Sequence, residues 1–131
     1  MKIKSYRDLQ VWQKSMELVI ECYRLVEKFP KHEIYGLGSQ LRRAVVSVVA
    51  NITEGHKRSH RKEYIQHLFI SYGSLAEVET HLEIAQRLQY IDKEVHETLT
   101  EKSVTIGRML NALKRSLTTG SRSSRSPTPE T

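Results

Sequence analysis

Cysteine is almost absent from this chain of 131 residues, where Cys22 stands alone. One thiol closes no intramolecular disulfide and supplies too few ligands for a zinc site, so it reads as a small buried hydrophobe. Long apolar runs are missing as well, and no stretch approaches the roughly 20 consecutive apolar residues that span a bilayer. The N-terminal MKIKSYRDLQVWQK meets charge where a signal peptide carries its apolar region, which predicts a cytoplasmic protein with no membrane attachment. No phosphate-binding glycine loop, nucleophile elbow or paired CxxC occurs. These gaps leave no residue to nominate for catalysis, and the expectation is a chain that is not an enzyme and needs no cofactor.

What the chain does have is positive charge. Its 21 Lys and Arg outnumber 15 Asp and Glu, for a net charge of +6. A basic surface attracts polyanions through counterion release, although many bundles with lysine-rich faces bind nothing in particular. The length suits one domain, and a hydrophobic fraction of 38% suffices for one core.

Periodicity predicts four helices. From Asp8 to Lys28 there is no Gly or Pro, and Leu9, Trp12, Met16, Val19, Tyr23 and Val26 recur at spacings of three and four. Val11, Leu18, Cys22, Leu25 and Phe29 form a second stripe beside the first, wider than a simple seam requires. Asp8 is a candidate N-cap, and Pro30 ends the helix. PKHEIYGLG then reads as a connector with room for one short helical turn. Leu37, Leu41, Ala44 or Val45, Val48 and Ile52 carry a second helix; its β-branched valines would suit a strand, but the pattern is too long for one. Gly55 is its expected left-handed stop.

A third helix starts near Ser59 or His60 and reaches about Leu88, with Tyr64, Leu68, Ser71, Leu75, Val78, Leu82 and Ala85 inward. The small residues Gly73 and Ser74 in its middle predict close approach of another helix. Asp92 caps a fourth helix bearing Val95, Leu99, Ile106, Leu110, Leu113 and Leu117, acidic early and basic late as the macrodipole favours. Short connectors make neighbours antiparallel. The expected architecture is an all-α, antiparallel up-and-down four-helix bundle over 1–118, followed by a disordered Ser/Arg/Pro-rich tail over 119–131.

Three groups of side chains invite a functional reading. His56 and His60 have the spacing of two zinc ligands on a helix, but Lys57 stands where the protease motif needs Glu and the surrounding cations would repel a metal, so no metal site is expected. Arg42 and Arg43 lie on the helix antiparallel to Glu77, Glu79 and Glu83; they either pair with those carboxylates or bind phosphate. The densest basic run, GHKRSHRK, holds Lys57, Arg58, Arg61 and Lys62 with no acid among them. In a monomer such a turn is merely solvated, whereas a ring-like oligomer would crown one rim with it and multiply the potential. Arg122 and Arg125 could add a loose contact.

The segments YRDLQVWQKSMEL, FPKHEIYGLGSQLRRAVVSVVANITEG and YGSLAEVETHLEIAQRL resemble the four-helix-bundle family encoded by intervening sequences in bacterial large-subunit ribosomal RNA genes. The resemblance is most specific in the order Tyr35, Gly36, Leu37, Gln40, Arg42, Arg43, Ala44, Ser47, Asn51, Ile52, Glu54, Gly55, then Gly73, Ser74, Leu75 and Glu77. Val49 and Thr53 depart from the Pro and Ala frequent in that family, and Gln89 from a Gly that often precedes Tyr90. The resemblance implies a homopentamer, and related accessory proteins of diversity-generating retroelements form basic pentamers that bind a reverse transcriptase and nucleic acid. The expectation is therefore a non-catalytic homo-oligomer that binds structured RNA or DNA through Lys57, Arg58, Arg61, Lys62, Arg42 and Arg43. The alternative is a protein-interaction scaffold, such as a reverse-transcriptase accessory subunit.

Overall fold

A computed structural model describes residues 5–123 as four helices: α1 (Gln10–Val26), α2 (Leu37–His56), α3 (Arg61–Arg87) and α4 (Lys93–Ser123). Each helix touches the next in sequence and α4 closes the square against α1. Trp12 meets Thr53 while Val26 lies against Gly38, so α1 and α2 run in opposite directions; Asn51 with His67 and Glu83 with His96 show the same for the next two pairs. The expected all-α, up-and-down bundle is what forms. At about 1.5 Å per residue α3 alone spans about 40 Å, so the bundle is a rod.

The start of α1 is built differently from expectation. Residues Tyr6–Asp8 make a short 3₁₀ turn in which the Ser5 hydroxyl accepts from the Arg7 amide and the Asp8 carboxylate accepts from the Ser5 amide, at 3.1 and 3.3 Å. Ser5 is thus the cap, and Asp8 answers it from within the turn. Both apolar stripes contribute to the core: Val11, Leu18, Cys22, Leu25 and Phe29 of the second are buried, as are Val19 and Val26 of the first, with Leu9, Trp12 and Met16 packed against them and Tyr23 left 42% exposed. Burial pushes the Cys22 thiol up to about 12, with Glu21 adding to the effect.

The tightest seam joins α2 to α3. A Cβ on Gly55 would stand 2.8 Å from the Cβ of His67 and 3.0 Å from the Tyr64 ring. Gly55 is therefore no left-handed stop; it lies inside the last turn of α2 and lets α3 approach. Further along, the Ser47 and Ser74 hydroxyls share a 2.7 Å hydrogen bond, and Ser71 donates to the Val48 carbonyl at 2.7 Å. Asn51 donates to the Ser47 carbonyl, and its amide oxygen faces His67 Nδ1 at 2.9 Å, which assigns the proton to that nitrogen. Small side chains set the spacing here, and their polar atoms are satisfied across the seam. Ser74 meets the expectation of close approach, whereas Gly73 does not, since a Cβ there would meet nothing within 4 Å.

Both connectors at the far end of the rod are tied together. Glu33, at the end of a 3₁₀ turn (Lys31–Glu33), accepts from the Leu37 amide at 3.0 Å and from the Tyr90 hydroxyl at 2.8 Å. Gly36 leaves the room this needs, for a Cβ there would stand 2.7 Å from the Glu33 carboxylate. These two donors hold the Glu33 carboxyl below its ordinary value. The Tyr90 ring stacks on Phe29 with centroids 5.5 Å apart. Tyr90 is placed by the end of α3, where its amide bonds to the Ala85 carbonyl and that of Gln89 to the Gln86 carbonyl, with Gln89 at φ 66°. This is the paired hydrogen-bond pattern of a helix stop that favours glycine. Asp92 caps α4 as expected, accepting from the Val95 amide at 2.8 Å. α4 continues to Ser123, past the boundary expected at 118; the rest of the expected tail, including Arg125, lies outside the described residues.

Gln89→Gly relieves a left-handed cost of about 1–2 kcal/mol, partly offset by the greater freedom of glycine when unfolded. The variant should melt higher than the parent, and a lower melting temperature would contradict this account of the turn. Glu33 sets a pH dependence: its folded value lies below 4.5, so its contribution is complete above 4.5 and fades as pH falls through the folded value. Denaturant melts should find Glu33→Gln weaker than the parent at neutral pH, with the two curves converging in acid.

Candidate nucleic-acid interface

The chain reverses direction between α2 and α3 within residues 57–60, too short a turn to fold back on the bundle. Lys57 closes α2 by donating its amide to the Thr53 and Gly55 carbonyls, and His60 opens α3 with extended backbone. Lys57, Arg58, Arg61 and Lys62 are consequently all exposed, gathered at one end of the rod as expected. Arg61 and Lys62 occupy the first turn of α3, where the helix dipole is itself positive. Cations are unfavourable there, and an anion would relieve both sources of charge.

Up-and-down topology brings further cations to the same end that the linear reading did not collect. The 3₁₀ turn before α1 sits beside the end of α2: the Tyr6 ring lies 5.4 Å from Trp12 and edge-on to His56 at 6.4 Å. Arg7 stacks on the Tyr6 ring at 4.7 Å, and the Lys57 ammonium lies 6.0 Å from the same ring. His56 also meets Tyr64 edge-on at 5.8 Å, so it is packed between two aromatic rings. Among the described residues no three His, Cys, Asp or Glu side chains gather as a metal ion would require. The last turns of α4 add Lys114, 3.8 Å above the Phe69 ring and 5.3 Å from Tyr72, and Arg115 beside them. The signal for these additions was present in the helix directions, since the first residues of α1 and the last of α4 must share the end occupied by the α2–α3 turn.

Arg42 and Arg43 are elsewhere. They lie near the start of α2, about 20 Å along the helix from Lys57, so the structure does not join them to the basic turn. Arg42 donates to the Ile34 carbonyl at 3.2 Å and lies 6.0 Å from the Tyr23 ring. Arg43 faces a groove shared with Gln40, Ser47, Glu77 and His81. Neither arginine is within ion-pair distance of Glu77, Glu79 or Glu83; Glu83 pairs instead with Arg87 at 2.9 Å and His96 at 3.3 Å. Burial raises the Glu79 carboxyl and lowers the His81 imidazole, against the opposing pull of Glu77 on the latter. At this end the acids Asp92, Glu94 and Glu97 stand among Lys28, Lys31, Lys93 and the two arginines, so charge here is mixed, unlike the run of cations at the α2–α3 turn.

Comparison with known proteins agrees with this architecture. The family model described as 23S rRNA-intervening sequence protein matches residues 7–112. No curated protein matches. Among solved structures, a protein of unknown function from the S23 ribosomal protein family of Bacteroides thetaiotaomicron is similar at 26% identity and a TM-score of 0.75. The alignment covers 80% of this chain and 98% of that one. No helix among the described residues is long and apolar enough to cross a membrane.

Proposed function

We propose that this chain, which belongs to the 23S rRNA-intervening sequence protein family, is a non-catalytic cytoplasmic bundle that binds structured RNA or DNA through the basic end of its rod. The observation that carries this reading is the state of the cations there. Lys57, Arg58, Arg61, Lys62, Lys114 and Arg115 gather toward one end of the rod with no carboxylate within ion-pair distance among the described residues. Unpaired cations clustered over a helix start supply the sequence-independent part of nucleic-acid affinity. Arg42 and Arg43, at the other end, serve a separate surface.

Assembly strengthens the same reading. Ile20, Tyr23, Ile34, Tyr35 and Val46 are exposed along α1, the connector and α2, with Tyr35 93% exposed. Tyr23 and Val46 share a groove with Arg42 and Arg43, and Arg42 also reaches Ile34, a mix of apolar side chains, aromatic ring and arginine of the kind enriched at interfaces. Together with the family resemblance it favours a homopentamer, in which five basic ends share one rim. The competing role, a scaffold for a protein such as a reverse transcriptase, would use this surface and not the basic end.

Titration of labelled RNA should give an affinity that falls steeply with salt, with a log–log slope of about 3–4 if four phosphates are neutralised. Joint reversal of Lys57, Arg58, Arg61 and Lys62 to Glu should flatten that slope without altering the helical circular dichroism, because all four are exposed. Absence of binding at low salt overturns the reading. Native mass spectrometry should give five times the chain mass, shifting to smaller species in Tyr35→Ser with Val46→Ser; a monomer at high concentration rejects the ring. A protein partner retained through nuclease and high salt would favour the scaffold role.

A further inference from the structure

Resting on the basic-end reading, we infer that the bundle binds unpaired nucleotides by stacking them on Phe69 and Tyr72, in the groove between α3 and α4 that leads away from the basic turn. Three independent features converge on this surface. Phe69 is 59% and Tyr72 42% exposed, two large rings side by side on one helix face. They continue the helical stripe that begins at Lys62 and passes through Ile65, so a strand leaving the basic turn along α3 meets them next.

Cations border the rings on the α4 side. Lys114 rests on Phe69 and near Tyr72, with no carboxylate paired to it among the described residues, and Arg115 lines the same groove of about 440 Å³. A phosphate is a stronger counter-charge for an ammonium than the face of a benzene ring. Its capture by Lys114 draws that side chain off the ring and leaves a bare aromatic face of the size of a base. Charge beside open rings fits a polyanion with planar groups, whereas an apolar protein partner would gain nothing from unpaired cations at its border.

Gly73 supplies the third feature. Side chains on a helix lean toward its N-terminus, so one at position 73 would lie over the ring at 69, one turn earlier. The helix keeps glycine there although a Cβ would touch nothing within 4 Å. The space beside the stripe at Gly73 is therefore open to an occupant of the two rings. A fully paired helix hides its base faces, so the occupant is a loop, bulge or single-stranded end of the structured nucleic acid.

The test compares a fluorescein-labelled RNA hairpin carrying a loop of about 8 uridines with the same stem closed as a blunt duplex. The full chain should bind the hairpin about tenfold more tightly, in keeping with stacking of one or two bases. Phe69→Leu with Tyr72→Leu, and separately Gly73→Leu, should lose that preference while still binding the duplex as the parent does, with unchanged circular dichroism. 4-Thiouridine placed in the loop should photo-crosslink to α3. Equal binding of hairpin and duplex by the parent, or a preference that survives both variants, overturns stacking and leaves the basic-end reading intact. Loss of duplex and hairpin binding by the parent alike overturns both. A change of oligomeric mass in the leucine variants would assign the rings to contact between copies and overturn the inference.

Discussion

The approach of α3 onto α2 is the constraint from which the rest of the molecule follows. Helices come this close only where side chains are small, and Ser47, Gly55, Ser71 and Ser74 supply that; each hydroxyl then finds a partner across the seam instead of remaining a buried cost. With the two helices fixed over their full length, the residues between them can only form a tight exposed turn. That exposes the basic run, and it places α1 and α4 on the outer flanks, where their termini converge on the same end. The basic end is therefore a product of packing at the seam as much as of local composition.

Most of the architecture was legible from spacing. The inward residues of α3 and α4 and the Asp92 cap follow from local chemistry that tertiary contacts do not override, whereas α1 ends at Val26, ahead of the stop expected at Pro30. The misreadings share a physical cause: they concern what stands across from a residue. In α1 both stripes have helical period, and only the position of its neighbours decides that Cys22 is buried while Tyr23 is not. Gly55 and Gly73 look alike in sequence, yet one faces His67 and Tyr64 and the other faces open space. Arg42 and Arg43 are adjacent to carboxylates in a helical projection, but no pair forms and Arg42 turns to a backbone carbonyl. Charge density along the chain identified Lys57 to Lys62 but missed Arg7, Lys114 and Arg115, which are distant in sequence and near in space. Thr53, a departure from the related sequences, accepts the Trp12 indole N–H at 2.9 Å, so a polar substitution in α2 is answered by a donor in α1.

The cations gathered at one end of the rod bear on the proposed assembly. Rods arranged side by side in the same direction bring like ends together, so a ring of these bundles would be resisted by its own basic rim and held by the exposed apolar side chains of α1 and α2. A polyanion at that rim removes the resistance. Under the proposed function, assembly and nucleic-acid binding would be linked: each would lower the free energy of the other, with no change of fold required.

The clasp of Glu33, Tyr90 and Phe29 gives the rod two unlike ends. It fastens the α1–α2 connector to the α3–α4 connector, so the four helices are tethered crosswise at the end away from the basic turn. At the basic end no comparable bond ties the α2–α3 turn to the last turns of α4. The two ends of the rod are thus held differently: by a hydrogen-bonded carboxylate and phenol at the clasp, and by ring contacts and a cation resting on an aromatic face at the other.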